Sequence, residues 1–215
     1  MDVSVFVANQ SHLNHAVDIA LMMQDAAQVR GTGIAKRKPE YLQLKMQEGK
    51  AVIALAKDKV VGFCYIESWS DHQYVANSGL IVHPDFRGTG LAKKIKSAIF
   101  NLSREKFPDA KIFGITTSLA VMKINSDLGY TPVTFSELTQ DPAFWQGCSS
   151  CPNFDILNRT QHKMCLCTGM VCDPQKMKTK EANPTGFSRF QSFLLGKAER
   201  MKKIKNLLTQ KKRTA

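Results

Sequence analysis

Long apolar runs are missing from this chain, and acidic residues are scarce beside basic ones. No stretch approaches the roughly 20 apolar residues that a spanning helix requires, so no membrane span is expected. The opening Asp2-Val3-Ser4-Val5-Phe6-Val7 offers no basic stretch, extended apolar run or small-residue cleavage site. That argues against a secretory signal and makes the cytoplasm the expected compartment. The chain has neither the G-x-G-x-x-G of a dinucleotide fold nor the Gly-Lys-Ser/Thr of a phosphate-binding loop. No internal repeat is visible, which removes solenoids and propellers. With 13 Gly and 8 Pro in 215 residues, collagen-like and low-complexity classes drop out as well. What remains is 43% hydrophobic and 22% charged, enough for one domain with an appendage.

The charge is unevenly placed. Lys and Arg number 30 against 18 Asp and Glu, a net +12. Residues 176–215 hold twelve basic residues against Glu181 and Glu199, so +10 of that charge lies in the tail and 1–175 is nearly neutral. Within the tail, Phe190, Phe193, Leu194, Met201, Ile204 and Leu208 recur at helical spacing among Lys197, Arg200, Lys202, Lys203 and Lys205. That pattern predicts a basic amphipathic C-terminal helix. Nucleic acid and an anionic membrane are two partners for such a helix. The two phenylalanines favour a third, docking on its own domain or on a second subunit as a homodimer, so nucleic acid is not the expected partner.

Apolar periodicity orders the rest. Residues 2–8 alternate as a strand, and Ser11 caps a helix running to about Val29 with Leu13, Val17, Ala20, Leu21 and Ala27 on one stripe. A short helix spans 39–47. Strands at 51–57 and 60–68 flank an Asp58-Lys59 hairpin turn, and another strand covers 74–82. Then follow a helix at 90–106, a strand at 111–117, a helix at 119–128 closed by Gly129, and a strand at 130–135. Met164–Val171 reads as a last strand. A meander followed by βαβ units predicts an α/β (α+β) fold, a mixed central sheet with helices on both faces.

The stretch that carries chemistry is Leu80-Ile81-Val82-His83-Pro84-Asp85-Phe86-Arg87-Gly88-Thr89-Gly90-Leu91-Ala92, a strand, a tight turn and a helix start. Successive backbone N–H groups of such a turn can share one concavity, and Gly88 and Gly90 permit positive φ and close approach of a ligand. The helix dipole adds positive charge, so the turn suits a pyrophosphate. Glycines chosen for turn geometry alone would leave the same trace.

These residues resemble the GNAT superfamily of acyl-CoA-dependent N-acyltransferases. Its signature is Arg or Gln followed by x-x-Gly-x-Gly/Ala, after an apolar strand ending in Val-x-Pro. Arg87, Gly90 and Ala92 fill it after Val82 and Pro84, and Asn125-Ser126-Asp127-Leu128-Gly129-Tyr130 resembles the family's Tyr-x-x-x-Gly-Phe ending. The order of elements matches through about residue 135. The resemblance implies that the amides of Arg87, Gly88, Thr89, Gly90, Leu91 and Ala92 cradle the CoA pyrophosphate. It places the pantetheine along the strand edge at Ile81 and Val82. Acetyl-CoA, or another acyl-CoA, would then donate its acyl group to the amine of a small acceptor.

Two departures shape the expected mechanism. Asn125 stands where the family has its general-acid tyrosine. Its amide can hydrogen-bond the sulfur but cannot protonate a leaving thiolate, which at a pKa near about 8.5 can leave without full protonation. Tyr130 replaces a Phe and is expected in the core, and His83 reads as structural. For the base, Glu67, Asp71 and His72 lie where acceptors enter. Glu67, acting through water, is the first choice, with a solvated loop carboxylate as the plain alternative. A rival from another class is a non-catalytic binding module of the same fold that uses its basic tail on nucleic acid.

Five of the six cysteines fall within a Cys-rich segment, 144–172. Cys148, Cys151, Cys165 and Cys167 form two close pairs that could bring four thiolates to a zinc ion, while reduced buried thiols and a reactive C-x-x-C are the alternatives. Phe144-Trp145 and Asn153-Phe154-Asp155-Ile156-Leu157 suggest an ordered lid over the acceptor side. This part also resembles a GNAT subgroup associated with arginine biosynthesis, which implies the α-amino group of glutamate as acceptor. The expected organisation is a GNAT domain over 1–175 and a basic extension over 176–215.

Overall fold

The computed structural model describes residues 2–31 and 36–176. The chain divides into a unit spanning 1–174 and a second spanning 175–215, and the expected tail helix lies outside the described residues. No helix among the described residues is long and apolar enough to cross a membrane.

Four strands form the antiparallel meander: β1 (Ser4–Val7), β2 (Ala51–Ala56), β3 (Lys59–Trp69) and β4 (Tyr74–Val82). The β2–β3 turn sits one residue earlier than its side-chain types suggest. Ala56 pairs with Lys59, so the turn residues are Lys57 and Asp58, with Lys57 at φ 54°. After β4 the chain crosses over through α3 (Leu91–Lys106) to the parallel strand β5 (Lys111–Thr116). It then passes α4 (Leu119–Asp127) and β6 (Thr131–Val133), and β7 (Thr168–Cys172) inserts between β5 and β6. The result is a seven-stranded mixed sheet in the order β1-β2-β3-β4-β5-β7-β6.

Helices cover both faces because their apolar stripes leave them no other way to leave water. On α3, Leu91, Ile95, Ile99 and Leu102 follow a helical period and pack with Val61, Ile66, Ile112 and Tyr130. Burial of each aliphatic side chain contributes roughly 1.5–3 kcal/mol. On the other face lie α1 (Ala16–Arg30) and α2 (Pro39–Gln47), with Ile19, Met23, Leu42 and Met46 against Ile53, Phe63 and Tyr65.

The α1 stripe differs from the expected one. Ala16, Ile19, Met23 and Ala26 are buried, while Val17 and Leu21 are more than half exposed. Two apolar stripes run along this helix, and the sheet selects one. Asn9, not Ser11, caps the preceding turn, its side chain accepting from the Ser11 N–H. That turn, Gln10–His15, is a 3-10 helix ahead of α1.

The Cys-rich segment builds a third cluster at the sheet's far end. Helices α5 (Pro142–Gln146) and α6 (Phe154–Arg159) bring Trp145 and Leu157 onto Phe113, Phe135 and Val171. The Trp145 indole donates to the Thr139 carbonyl at 3.1 Å and stacks on His162.

Candidate active site

Between β4 and α3 the turn adopts the form its glycines allow. Gly88 and Gly90 have φ of 77° and 82°, and a Cβ on either would enter space that holds no protein atom within 4 Å. Gly90 is the N-cap of α3 and provides no side-chain bond, so the helix's first N–H groups are unspent. None of the N–H groups from Gly88 to Ala92 donates to a backbone carbonyl among the described residues. The turn is therefore a row of free donors at the positive end of a 16-residue helix, open on the side where side chains are missing. Arg87 differs from its neighbours in that its N–H donates to the Pro84 carbonyl and its Nε to the Val82 carbonyl. Its amide is thus spent on the turn, whose other end is held by His83, with Nδ1 accepting from the Asp85 N–H.

Upstream, β4 and β5 pair only from Tyr74 to Ala76 against Lys111 to Phe113 and then part. Gly79 lies three residues beyond the last pair, at φ 65°, where a Cβ would strike the Tyr65 ring at 2.3 Å. The register of β4 against β3 shifts at this point. A cavity of about 420 Å³ fills the fork, bounded by Asn77–Ile81 on one strand and Gly114–Thr116 on the other. The Cys-rich segment adds Phe144, Cys148, Asn153 and Phe154 to its wall.

Glu67 lines this cavity and accepts a hydrogen bond from the Tyr41 hydroxyl. Beside it Arg37 donates from Nε to the Tyr65 hydroxyl at 2.8 Å. Burial works against the charge on Arg37, but Tyr65 and Glu67 outweigh it and raise the guanidinium above its ordinary value. Burial and then the Glu67 charge drive both tyrosines well above the usual phenol range, so they stay protonated donors. The wall thus carries one anion and one cation with no ion pair between them among the described residues. Asn153, also lining the cavity, has a buried Nδ2 without a hydrogen-bond partner among the described residues.

The structure brings only some expected residues together. Ile81 lines the cavity and Val82 continues the strand into the turn. Asp71 and His72 border a separate depression with Phe107, where the His72 ring lies 5.0 Å from that phenylalanine. Asn125 is not on the cavity wall. It is buried on α4, with Nδ2 3.7 Å from the Met170 sulfur and Oδ1 without a partner among the described residues. Tyr130 is buried as expected and donates to Asn77 Oδ1 at 3.0 Å.

The expected zinc site does not form. Among the described residues no three His, Cys, Asp or Glu side chains are placed to share a metal ion. Cys148, Cys165 and Cys167 instead pack with Phe144 and Phe154 against the Phe113–Trp145 cluster, as small hydrophobes do. Burial, then the neighbouring cysteines, push Cys148 up to about 11 and Cys167 up to about 12, and Cys151 and Cys165 lie within electrostatic reach of both.

Sequence reasoning missed Arg37, Tyr41 and Asn77, and named Asn153 only as part of a lid segment. A partial signal existed for the pair on β3: Tyr65 and Glu67 are two apart and so share a strand face. Arg37 and Asn153 come from a loop and a short helix start, and nothing periodic marks them.

Residues 20–120 match the family model of the Acetyltransferase (GNAT) family. No curated protein matches the chain in sequence. Among solved structures, Rv2747 from Mycobacterium tuberculosis, in complex with CoA, is 16% identical at a TM-score of 0.57, over 79% of this chain and 98% of that one. An N-acetylglutamate synthase from Neisseria gonorrhoeae, complexed with coenzyme A and N-acetyl-glutamate, is 15% identical at 0.57 over 80% of this chain. The match spans about a third of that protein, 35% of its length. A GNAT acetyltransferase from Staphylococcus aureus is 11% identical at 0.55, over 80% and 99% of the two chains. At such identities these structures share the fold alone. The arginine-biosynthesis subgroup is therefore not established; motif, forked sheet and family match fall on one stretch, and residues 20–120 are similar to the acetyltransferases of the GNAT family.

Proposed function

We propose that this domain transfers an acyl group, acetyl in the first instance, from a CoA thioester to the primary amine of a small molecule. We further propose that the acceptor is an amino acid or similar carboxylate-bearing amine, with the α-amino group of glutamate as the leading case. The observation that carries the reading is the layout of β4. Its C-terminal end opens on the anion turn from Gly88 to Ala92, and its splayed stretch faces a cavity holding Arg37 and Glu67.

A pyrophosphate on the turn would meet the unspent N–H groups and the helix dipole, and the pantetheine would run along Ile81 and Val82 into the fork. Arg37, held by Tyr65, suits the acceptor's carboxylate, since a guanidinium presents paired donors to two oxygens. Glu67, held by Tyr41, takes the proton of the attacking amine through water. A backbone N–H of the splayed strand supplies the donor for the developing oxyanion. The N-acetylglutamate bound in the Neisseria structure supports the amino-acid reading.

The test is a panel of amines offered with acetyl-CoA and with succinyl-CoA, following free thiol. Release with an amino acid, and little with the matching amine that lacks a carboxylate, is the expected result. CoA binding with no thiol release from any acceptor would favour the binding-module reading instead.

A further inference from the structure

The most deeply buried charge in the described residues lies under the fork and is idle in the mechanism above. Lys96, on α3, is 2% exposed. Its ammonium donates to Asn77 Oδ1 at 3.2 Å and sits 5.1 Å from the centre of the Tyr130 ring. Asn77 is the first β4 residue past the last β4–β5 pair, and it lines the cavity. Its side chain is fixed from three directions: Lys96 and Tyr130 donate to Oδ1, while Nδ2 donates to Ser103 Oγ at 2.7 Å.

No carboxylate balances this charge. Lys96 takes part in no ion pair among the described residues. The titratable groups facing it are Cys64 on β3 and Tyr130 after α4. Burial pushes the Cys64 thiol up to about 11, and it donates to the Ser78 carbonyl. Tyr130 is raised well above its usual range, again by burial first. Arg104, farther along α3, donates to the Ala110 and Cys172 carbonyls. Every neighbour is thus neutral or positive near neutral pH. A buried ammonium without a counter-ion is costly, and a chain that wanted only packing here would do better with methionine. Burial lowers Lys96 to about 8, so it remains mostly protonated at neutral pH.

We propose that Lys96 is a positioning residue of acyl transfer, which fixes Asn77 at the apex of the fork and supplies the positive field that favours the departing CoA thiolate. This rests on the reading of the cavity as an acyl-CoA site. In the transfer the amine nitrogen bonds to the thioester carbon, the C–S bond breaks, and its electron pair leaves on sulfur. The nitrogen's proton passes by water to Glu67 and so to solvent. The sulfur thus needs stabilisation as an anion, not a proton donor, which fits a chain whose Asn125 cannot act as an acid.

The experiment uses the full chain, with CoA and desulfo-CoA as probes. Difference ultraviolet absorbance between the two complexes reads the thiolate of bound CoA across pH. In the wild type the bound thiol should titrate at least about one unit below an ordinary thiol near 8.5, a tenfold gain in thiolate at low conversion. Lys96→Met should return it to the free value or above without lowering the melting temperature, and Lys96→Arg should keep most of the depression. The proposal is overturned if wild-type-bound CoA titrates no lower than free CoA, or if Lys96→Met leaves the bound value unchanged. Should Lys96→Met not fold, the wild-type titration and Lys96→Arg decide the matter by the same criteria. If CoA does not bind the wild type at all, the acyl-CoA reading falls and takes this one with it. CoA that binds with an unshifted thiol overturns this inference alone.

Discussion

The turn after β4 and the wall across the fork from it are built in different ways. Five consecutive residues, Gly88 to Ala92, make up the turn's donor row, and its shape follows from two glycines and a helix start. The wall draws Arg37 from before α2, Glu67 from β3 and Asn153 from the start of α6, with Tyr41 of α2 hydrogen-bonded to Glu67. A contiguous device stands or falls with single backbone positions. A dispersed one loses function in graded steps, because each side chain is held by partners from other elements. This difference predicts where substitutions will be felt as CoA affinity and where as acceptor chemistry.

The largest effect belongs to the turn. Gly90→Val places a β-branched residue at φ 82° and fills the open side of the donor row. CoA affinity measured by calorimetry should fall by at least about 100-fold, or about 2.7 kcal/mol. Affinity within threefold of wild type would break the comparison at its root. A smaller effect, confined to catalysis, is expected from Glu67→Gln. Turnover should drop by roughly 100-fold near neutral pH. It should recover as rising pH leaves more of the acceptor amine unprotonated, with CoA affinity unchanged. A pH–rate profile identical to that of the wild type would remove Glu67 as the base.

Arg37→Met sharpens the contrast within the wall. It should raise KM for a carboxylate-bearing acceptor by about tenfold or more while leaving KM for acyl-CoA alone, since a charge-assisted hydrogen bond is worth roughly 1.5–3 kcal/mol. Equal loss for an acceptor without a carboxylate would mean that Arg37 only supports Tyr65. The smallest effect is expected at Asn125, which lies off the cavity against Met170. Asn125→Ala should slow turnover by no more than about threefold, and because it also removes the buried, unpartnered Oδ1 it should cost little stability. A loss of several thousand-fold with the fold intact would give this residue a direct part in the chemistry.

Much of the fold was legible because its signals are local and agree with one another. The helix at 39–47 and the strand at 74–82 are read from residue types to the residue, since proline opens the one and His83-Pro84 closes the other. The misreadings arose where two local patterns competed. Either α1 stripe could have been buried, and only the sheet's position decides between Val17 and Ile19. The cysteine spacing suggested a metal; the segment brings the four cysteines near one another, but no three are placed to share an ion among the described residues, and Cys148, Cys165 and Cys167 pack against the third cluster.

The sequence by itself determined the turn with its row of free N–H donors, because backbone conformation there depends on which residues lack a Cβ and on where a helix begins. It also determined the order of strands and helices, through apolar periods that few alternatives could satisfy. Only the tertiary structure decided which charges share a cavity. Arg37 and Glu67 are separated by α2, β2 and most of β3, and Lys96 reaches Asn77 only because α3 packs back across β4. Such placements depend on long-range packing, which sequence spacing does not encode, and burial then assigns each group its charge and its partner.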